Sequence, residues 1–447
     1  MRPRLGPSTL AALLAATLLL FAPPDARAGT QLLAGMAKVD MTLDPTAGTI
    51  RLGGYSGRGK KPASGVLDHV FAKALVVSDG KDHTFALVSA DLCYINSELR
   101  EAVLKRLKSH GFDGDNLLLA ATHTHSSFAG YDRTFLGRKL FGEFDPAILD
   151  HLASSIARAV VKARSSMRPA VLEMATGRLE GMNRNRRDPV FDIETGRADS
   201  SRQPDRERYP TDEHMTVVRV AGEDGTVIGA VIHFTAHPTV LSPKNLAVSA
   251  DFPGVLCRLV EDGLGGDAVA MFLNGTLGDV APLPDWADEV ETEVLRMKDY
   301  GRQLGNAAID LLAGTHPMST RRIAYNAVDS GLPQLIVRPL LRFRVPRAMY
   351  RLLYYGDSVP FQAVRLGDLV LFAIPGEPTT QFGWALKELC PAGRSCLIAA
   401  PANGYIGYLV TPQQYREGGY EATVCFVGPN GIDWVRHNLK DAVSGMR

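Results

Sequence analysis

The run Leu117-Leu-Leu-Ala-Ala121 is apolar without a break and stops abruptly at Thr122-His-Thr-His125. Five such residues suit a buried strand. The small and flexible residues that follow, through Gly130, take the chain away as a loop. The same punctuation recurs along the chain. Thr84 to Ala90 ends at Asp91, Val227 to Phe234 at Thr235-Ala-His237, Ala268 to Leu273 at Asn274, and Val370 to Ile374 at Pro375-Gly-Glu377. Loops leaving strand ends are where α/β proteins build their sites. A chain with this many apolar runs, each closed by a polar residue, is constrained to bring several of those ends together.

Between the runs lie helical patterns. Asn96 or Ser97 can cap a helix reaching Ser109, with Leu99, Val103, Leu104 and Leu107 on one face and Gly111 closing it. Pro146 to Ser166 carries Ile148, Leu152, Ile156, Val160 and Val161 in one stripe, and Val290 to Ala313 reads as a long helix. A shorter helix is expected over Val255 to Asp262. Hairpin signals stand at Asp79-Gly80, at Gly222-Glu-Asp-Gly225 and at Gly367-Asp368. Hairpins and helical crossovers together predict an α/β fold with mixed β-sheets flanked by helices. Polar residues 188–213 read as an exposed excursion. Beyond Arg321 the periodicity weakens.

The first 28 residues have the form of an export signal: Arg2 and Arg4, an apolar run from Leu10 to Phe21, and Ala26-Arg27-Ala28 as the cleavage site. Its removal takes away three arginines and one aspartate, so the formal charge passes from +1 to −1. A near-neutral chain gives no case for nucleic acid as a partner. An exported protein, periplasmic or secreted, can hold disulfides. Cys390 and Cys396 bracket a short loop and are the expected pair; Cys93, Cys257 and Cys425 lie in apolar surroundings and read as buried thiols.

Catalytic zinc sites commonly combine two histidines and a carboxylate with an open position. The chain offers His123 and/or His125, His237 and Glu377, and it has no HExxH helix. Residues two apart lie on the same side of an extended chain, which leaves both histidines of Thr-His-Thr-His as candidate ligands. Asp279 could orient a ligand histidine or sit in an ordinary turn. Gly181-Met-Asn-Arg-Asn-Arg-Arg187 could hold a substrate oxygen through a guanidinium, although a solvated loop is the more common outcome for such a segment. Arginines 338, 342, 344, 347 and 351 interleave with apolar residues up to 354. That stretch suits a buried helix edge or a subunit contact, and, with less weight, a peripheral membrane contact.

Taken together, these blocks resemble the neutral, non-lysosomal ceramidases in their zinc-containing N-terminal catalytic region. The resemblance is carried by Ala121-Thr-His-Thr-His-Ser126, Thr235-Ala-His-Pro-Thr239, Asn274 with Leu277-Gly-Asp-Val280 and Pro282, Pro375-Gly-Glu377, and Asn403-Gly-Tyr-Ile-Gly-Tyr408. Tyr415 and Gly419-Tyr-Glu421 extend the last block. They occur in the family's order over nearly the whole chain after residue 28. The resemblance implies one catalytic domain over residues 29–447, with zinc bound by His123, His237, Glu377 and Tyr408. It turns His125 toward the substrate and places an arginine in the site, Arg186 by ungapped counting, with Arg184 as the rival.

The implied activity is hydrolysis of the amide of an N-acyl sphingoid lipid by a metal-activated water, with His125, Arg186 and Tyr408 as catalytic groups. A zinc amidase or esterase acting on another exported acyl substrate, and a non-catalytic binding protein, are the alternatives. The family's Gly-Asp-Val-Ser-Pro-Asn becomes Gly278-Asp-Val-Ala-Pro-Leu283, which excludes a serine nucleophile at Ala281. The family's pattern after Thr-His-Thr-His-Ser is also altered, at Ser127, Phe128 and Ala129, residues expected to shape the mouth of the pocket. Soon after the Tyr-Glu block the chain ends, where the family's C-terminal immunoglobulin-like domain would follow.

Overall fold

Three of the parallel strand pairs are each joined through a helix. Thr84–Ala90 lies beside Leu117–Ala121, with Ser97–Leu107 between them in the chain. Val227–Phe234 lies beside Val269–Asn274, joined through Asp251–Leu264. Leu369–Ala373 lies beside Ser395–Ala399, joined through Thr380–Lys387. Parallel neighbours require such a crossover. The registers Ala90↔Ala121, Phe234↔Asn274 and Ala373↔Ala399 make both strands of each pair stop together. Every polar residue that closes an apolar run therefore leaves from the carboxyl end of one of these pairs, where open α/β sheets form their crevices. The structure, a computed structural model, describes residues 31–45, 50–338, 343–354 and 356–446. The export signal expected over residues 1–28 lies outside the described residues.

The first two pairs are the opposite ends of one nine-stranded sheet. Its interior strands are the antiparallel series His214–Gly222, Arg168–Arg178, Leu33–Asp40 and Phe71–Ser78. The third pair belongs to a four-stranded sheet with Ile323–Gly331 and Ser358–Leu366. Alternation sorts the side chains. Ala74 and Val76 face one core while Leu75 and Val77 face another. Leu75, Leu118, Val231 and Leu273 of the large sheet share their core with Val364, Leu366 and Leu371 of the small one, so the sheets pack face to face.

Helices cover the outer faces. Pro146–Ser165 begins with Asp145 accepting from the Ala147 N–H at 2.8 Å and with proline at the first turn, and it buries Ile148, Leu152, Ile156 and Val160. Each such aliphatic contributes ~1.5–3 kcal/mol on burial. Val290–Ala313 and Asp251–Leu264 close the other end, and Gly431–Gly445 backs the small sheet.

Differences from the sequence expectations have local causes. The crossover helix starts at Asp251, four residues before Val255, because Pro253 falls in a first turn that needs no N–H from it. The strand Ile323–Gly331 lacks a clean period, since its later residues are only partly covered. Residues 188–213 form the exposed excursion, with one short pair, Phe191–Asp192 and Arg197–Ala198. Cys390 and Cys396 are disulfide-bonded, and Cys93, Cys257 and Cys425 are buried thiols. No helix among the described residues is long and apolar enough to cross a membrane.

Candidate metal centre

At the end of its strand, Thr122 bonds the Ala90 carbonyl at 2.9 Å and His123 the Leu92 carbonyl at 3.0 Å. His123 then adopts φ +72°, a left-handed backbone uncommon for a residue with a Cβ. The two imidazoles of Thr-His-Thr-His nonetheless stay together, edge to face with centroids 4.8 Å apart. The His123 Nδ1 lies 2.6 Å from the Cys93 carbonyl. The His237 Nδ1 lies 3.1 Å from the Val280 carbonyl, which also accepts from the His237 backbone N–H at 3.0 Å. Glu377 opens a short strand, Glu377–Pro378, parallel to Tyr408–Leu409, and its N–H bonds the Gly407 carbonyl at 3.0 Å.

These anchors aim three buried side chains at one point. The His237 Nε2 is 3.1 Å and the His123 Nε2 3.4 Å from the same oxygen, Glu377 Oε2. A carbonyl only accepts, so each Nδ1 carries the ring proton and each Nε2 presents a lone pair. While both rings are neutral, two lone pairs and a carboxylate oxygen converge among buried side chains, and a positive charge, a proton or a metal ion, makes that arrangement favourable. The ligand atoms lie within 4.8 Å of one another. The donor set of two imidazoles and a carboxylate fits a divalent ion of the zinc type. The Tyr408 hydroxyl stands 3.5 Å from the His237 Nε2, at the rim of the cluster.

The local charges follow from this geometry. Burial alone would lift the Glu377 carboxyl, but His123 and His237 hold it well below the usual carboxylate range. Burial disfavours a charged His123 too, yet the Glu377 carboxylate and the Cys93 side chain raise it to about 10 without a metal. His237 is pushed down to about 3 by burial and by the Arg186 guanidinium. The metal-free cluster thus keeps one proton, on His123.

Arg186 follows the strand Asn183–Asn185, which pairs with Val280–Pro282 beside His237. Its Nη2 donates to the Tyr408 hydroxyl at 2.9 Å and the Gly278 carbonyl at 2.7 Å, and its Nε to Glu421 at 2.9 Å. Its Nη1 lies 3.4 Å from the His237 Nε2. Arg184 turns away to Asp285 at 2.7 Å. The His125 Nε2 is 3.2 Å from the His123 Nε2, while its Nδ1 is buried without a hydrogen-bond partner. Its ring packs edge-on to Tyr55, with centroids 4.6 Å apart. His125 is held neutral by burial and by the neighbouring imidazoles.

Several groups lay beyond sequence reasoning. The Tyr405 hydroxyl donates to Glu377 Oε1 at 2.5 Å; it stood within the Tyr-x-x-Tyr block, three residues before Tyr408, and that spacing was its one signal. Buried Arg58 donates to the carbonyls of Gly53 and Asn245, each at 2.9 Å, and to that of His125. It belongs to the loop Arg51-Leu-Gly-Gly-Tyr-Ser-Gly-Arg-Gly59, whose glycines match no binding motif.

Asp279, the aspartate that could orient a ligand histidine, and the nearby strand- and helix-end aspartates Asp91 and Asp251 have other partners. Asp91 accepts from the Phe71 N–H at 2.8 Å and Asp251 from the Leu241 N–H at 3.1 Å. Asp279 accepts from the Thr380 N–H at 2.7 Å and the Asn185 amide at 3.0 Å. Backbone carbonyls, not carboxylates, orient the two imidazoles. Ser127, Phe128 and Ala129 are also corrected: they are buried and line neither cavity beside the cluster.

Those cavities flank the converging atoms. One, of about 270 Å³, is bounded by His123, Glu377, Tyr405, Phe141 and Leu353. The other, of about 500 Å³, is bounded by Arg186, Phe191, Ile193, Pro282 and Trp286. They share Gly54, His125, Tyr408 and Tyr420. Apolar walls with a few convergent polar groups are the usual make-up of a small-molecule site.

Comparison with known proteins agrees with this architecture. The family model described as neutral/alkaline non-lysosomal ceramidase, N-terminal, matches residues 32–292. The neutral ceramidase of Mycobacterium tuberculosis is 27% identical, over 88% of this chain and 74% of that protein. That of Pseudomonas aeruginosa is 26% identical, over 88% of this chain and 69% of that protein. A solved structure described as a ceramidase complexed with C2 superposes with a TM-score of 0.79 at 19% identity, covering 92% of this chain and 75% of the other, a likeness of fold.

Proposed function

Because this chain belongs to the neutral/alkaline non-lysosomal ceramidase family, we propose that it is an exported, zinc-dependent hydrolase of the amide bond in N-acyl sphingoid lipids. The observation that carries the reading is the convergence of the His123 and His237 lone pairs on Glu377 Oε2 between two largely apolar cavities. His123, His237, Glu377 and Tyr408 would hold the zinc, which supplies a Lewis acid and an activated water.

The rest falls to the chain's own groups. The Arg186 guanidinium holds the Tyr408 hydroxyl, which lines both cavities, and itself lines the larger one, so both can donate to a substrate oxygen as it gains charge. A neutral His125, with one ring nitrogen unpartnered, is placed to accept a proton and pass it to the leaving amine. The two cavities suit an amide substituted by apolar groups on both sides.

The test is metal analysis of the purified protein together with turnover of a panel of N-acyl sphingosines. One zinc per chain is expected, with activity lost to a chelator and restored by zinc. Stoichiometric zinc without turnover of any acyl amide overturns the hydrolase reading, and turnover confined to acyl esters or to other acyl amides transfers it to the alternative substrate classes.

The orientation of His125 has its own test. A Cβ on Gly54, which sits at φ +93°, would come within 2.3 Å of the His125 ring. Gly54→Ala is expected to displace that ring and lower kcat roughly a hundredfold. Zinc content should be unchanged, read by metal analysis alongside steady-state kinetics. Wild-type kcat in this variant would remove His125 from the chemistry.

A further inference from the structure

The cavity beside His123 is walled in part by two short helices that pack on each other, Phe135–Phe141 and Tyr350–Leu353; they contribute Leu136, Phe141 and Leu353 to its lining. Both expose apolar residues outward, among basic ones. Phe135 is 49%, Met349 42% and Leu352 43% exposed. Met349 and Leu352 are three residues apart in continuous helical turns, which puts them on one face. Single exposed apolar residues are ordinary, but three bordering the wall of one cavity are a patch.

The patch is basic at its margins. Arg138, Lys139, Arg344 and Arg347 are exposed, and none makes an ion pair with another described residue. Lys139 lies 5.7 Å from the centre of the Phe135 ring. Arg351 pairs with exposed Asp357 at 3.5 Å, and Arg133 with Glu98 at 2.5 Å. On a chain of formal charge +1, this is a local excess of positive charge.

We propose that this rim docks the protein on an anionic lipid bilayer, with Phe135, Met349 and Leu352 inserted and the surrounding arginines and lysine at the phosphates. Exposed apolar residues ringed by cations are the chemistry of an interfacial contact. A second copy of the chain seated on the same patch would set like charges against each other. The inference rests on the reading of a lipid amide as substrate, since a substrate that resides in a bilayer has to reach the cavity from a surface. The docked rim presents that cavity to the membrane.

Flotation of the intact protein with substrate-free vesicles tests it. Phosphatidylcholine vesicles, with and without phosphatidylglycerol, are compared for the wild type, for Phe135→Ser/Met349→Ser/Leu352→Ser and for Arg344→Glu/Arg347→Glu. The wild type is expected to bind the anionic vesicles at least ~tenfold better than the neutral ones, less so at high salt. Each variant should lose ~tenfold of that binding, while its turnover of a water-soluble short-chain amide stays at the wild-type level. Equal vesicle binding by wild type and variants overturns the proposal. So does absence of binding, or a concentration-dependent dimer that the triple substitution dissolves. Because the vesicles carry no substrate, these outcomes stand apart from any failure of the hydrolase reading.

Discussion

Glu377→Gln is expected to remove the metal and lower turnover roughly a thousandfold or more. Glutamine keeps the shape of the side chain but replaces an acceptor by an N–H donor. That donor can satisfy the His123 or His237 lone pair which, in the wild type, meets the Glu377 oxygen at 3.1–3.4 Å. The variant therefore folds with the cluster satisfied and loses its demand for a cation. Metal analysis should give well under one equivalent of zinc, and zinc should not raise the melting temperature, whereas a rise is expected for the wild type. Full zinc occupancy together with full activity in this variant would exclude Glu377 as a ligand.

The same geometry sets a pH dependence. The metal-free wild type carries its proton on His123, raised to about 10, and zinc has to displace it. Fewer protons are bound with zinc than without it, so zinc affinity should rise about tenfold per pH unit through neutrality and level off near the His123 value. Calorimetric titration in buffers of different ionisation enthalpy would register about one proton released per zinc. An affinity that does not change between neutral and mildly alkaline pH would contradict a protonated His123.

Arg186→Met should leave zinc in place and reduce kcat by ~10²–10³. The guanidinium makes directed contacts with Tyr408, Gly278 and Glu421 from a buried position, and methionine replaces none of them. Removing one partner of a buried ion pair costs ~3–5 kcal/mol when the other charge is stranded. Here Glu421 keeps Arg187 at 2.9 Å, so a loss at the lower end is expected in denaturant unfolding. Arg186→Lys should rescue little, since a single ammonium cannot serve three directions at once. Arg184→Met is the contrast: its partner is Asp285, and kcat should change by less than ~tenfold. If Arg184→Met were the more damaging of the two, the assignment of Arg186 would be reversed.

How much of this was legible in the sequence varies from residue to residue. The apolar runs ending at His123, His237 and Glu377 are local patterns, and each does end a strand that stops beside a parallel neighbour. The choice between His123 and His125 was not open to periodicity. Extended geometry keeps residues two apart on one side, and the two rings do stay together, Nε2 to Nε2 at 3.2 Å; what sets His123 apart is that it meets His237 on the Glu377 carboxylate. Arg184 and Arg186 pose the same problem. The strand ends at Asn185, so Arg186 leaves its alternation and swings to Tyr408. The groups that orient the imidazoles are the carbonyls of Cys93 and Val280, and a backbone carbonyl has no signature in the sequence. The expected role of Ser127 to Ala129 failed for a related reason. Those residues of the loop are buried, Phe128 within the core, and the cavity wall comes instead from Phe135–Phe141, a short helix whose outer face is exposed.

By itself the sequence determined which side chains stand at strand ends and which faces of the elements are apolar, because both are set by spacing along a few residues. The tertiary structure alone decided that ends from positions 123, 237 and 377 meet within 4.8 Å. It also decided that their protons are held outward on carbonyls and that one basic, apolar rim borders the cavity they face. Such convergence depends on the register of strands separated by hundreds of residues, and on backbone atoms common to every residue type. No local pattern encodes either of them.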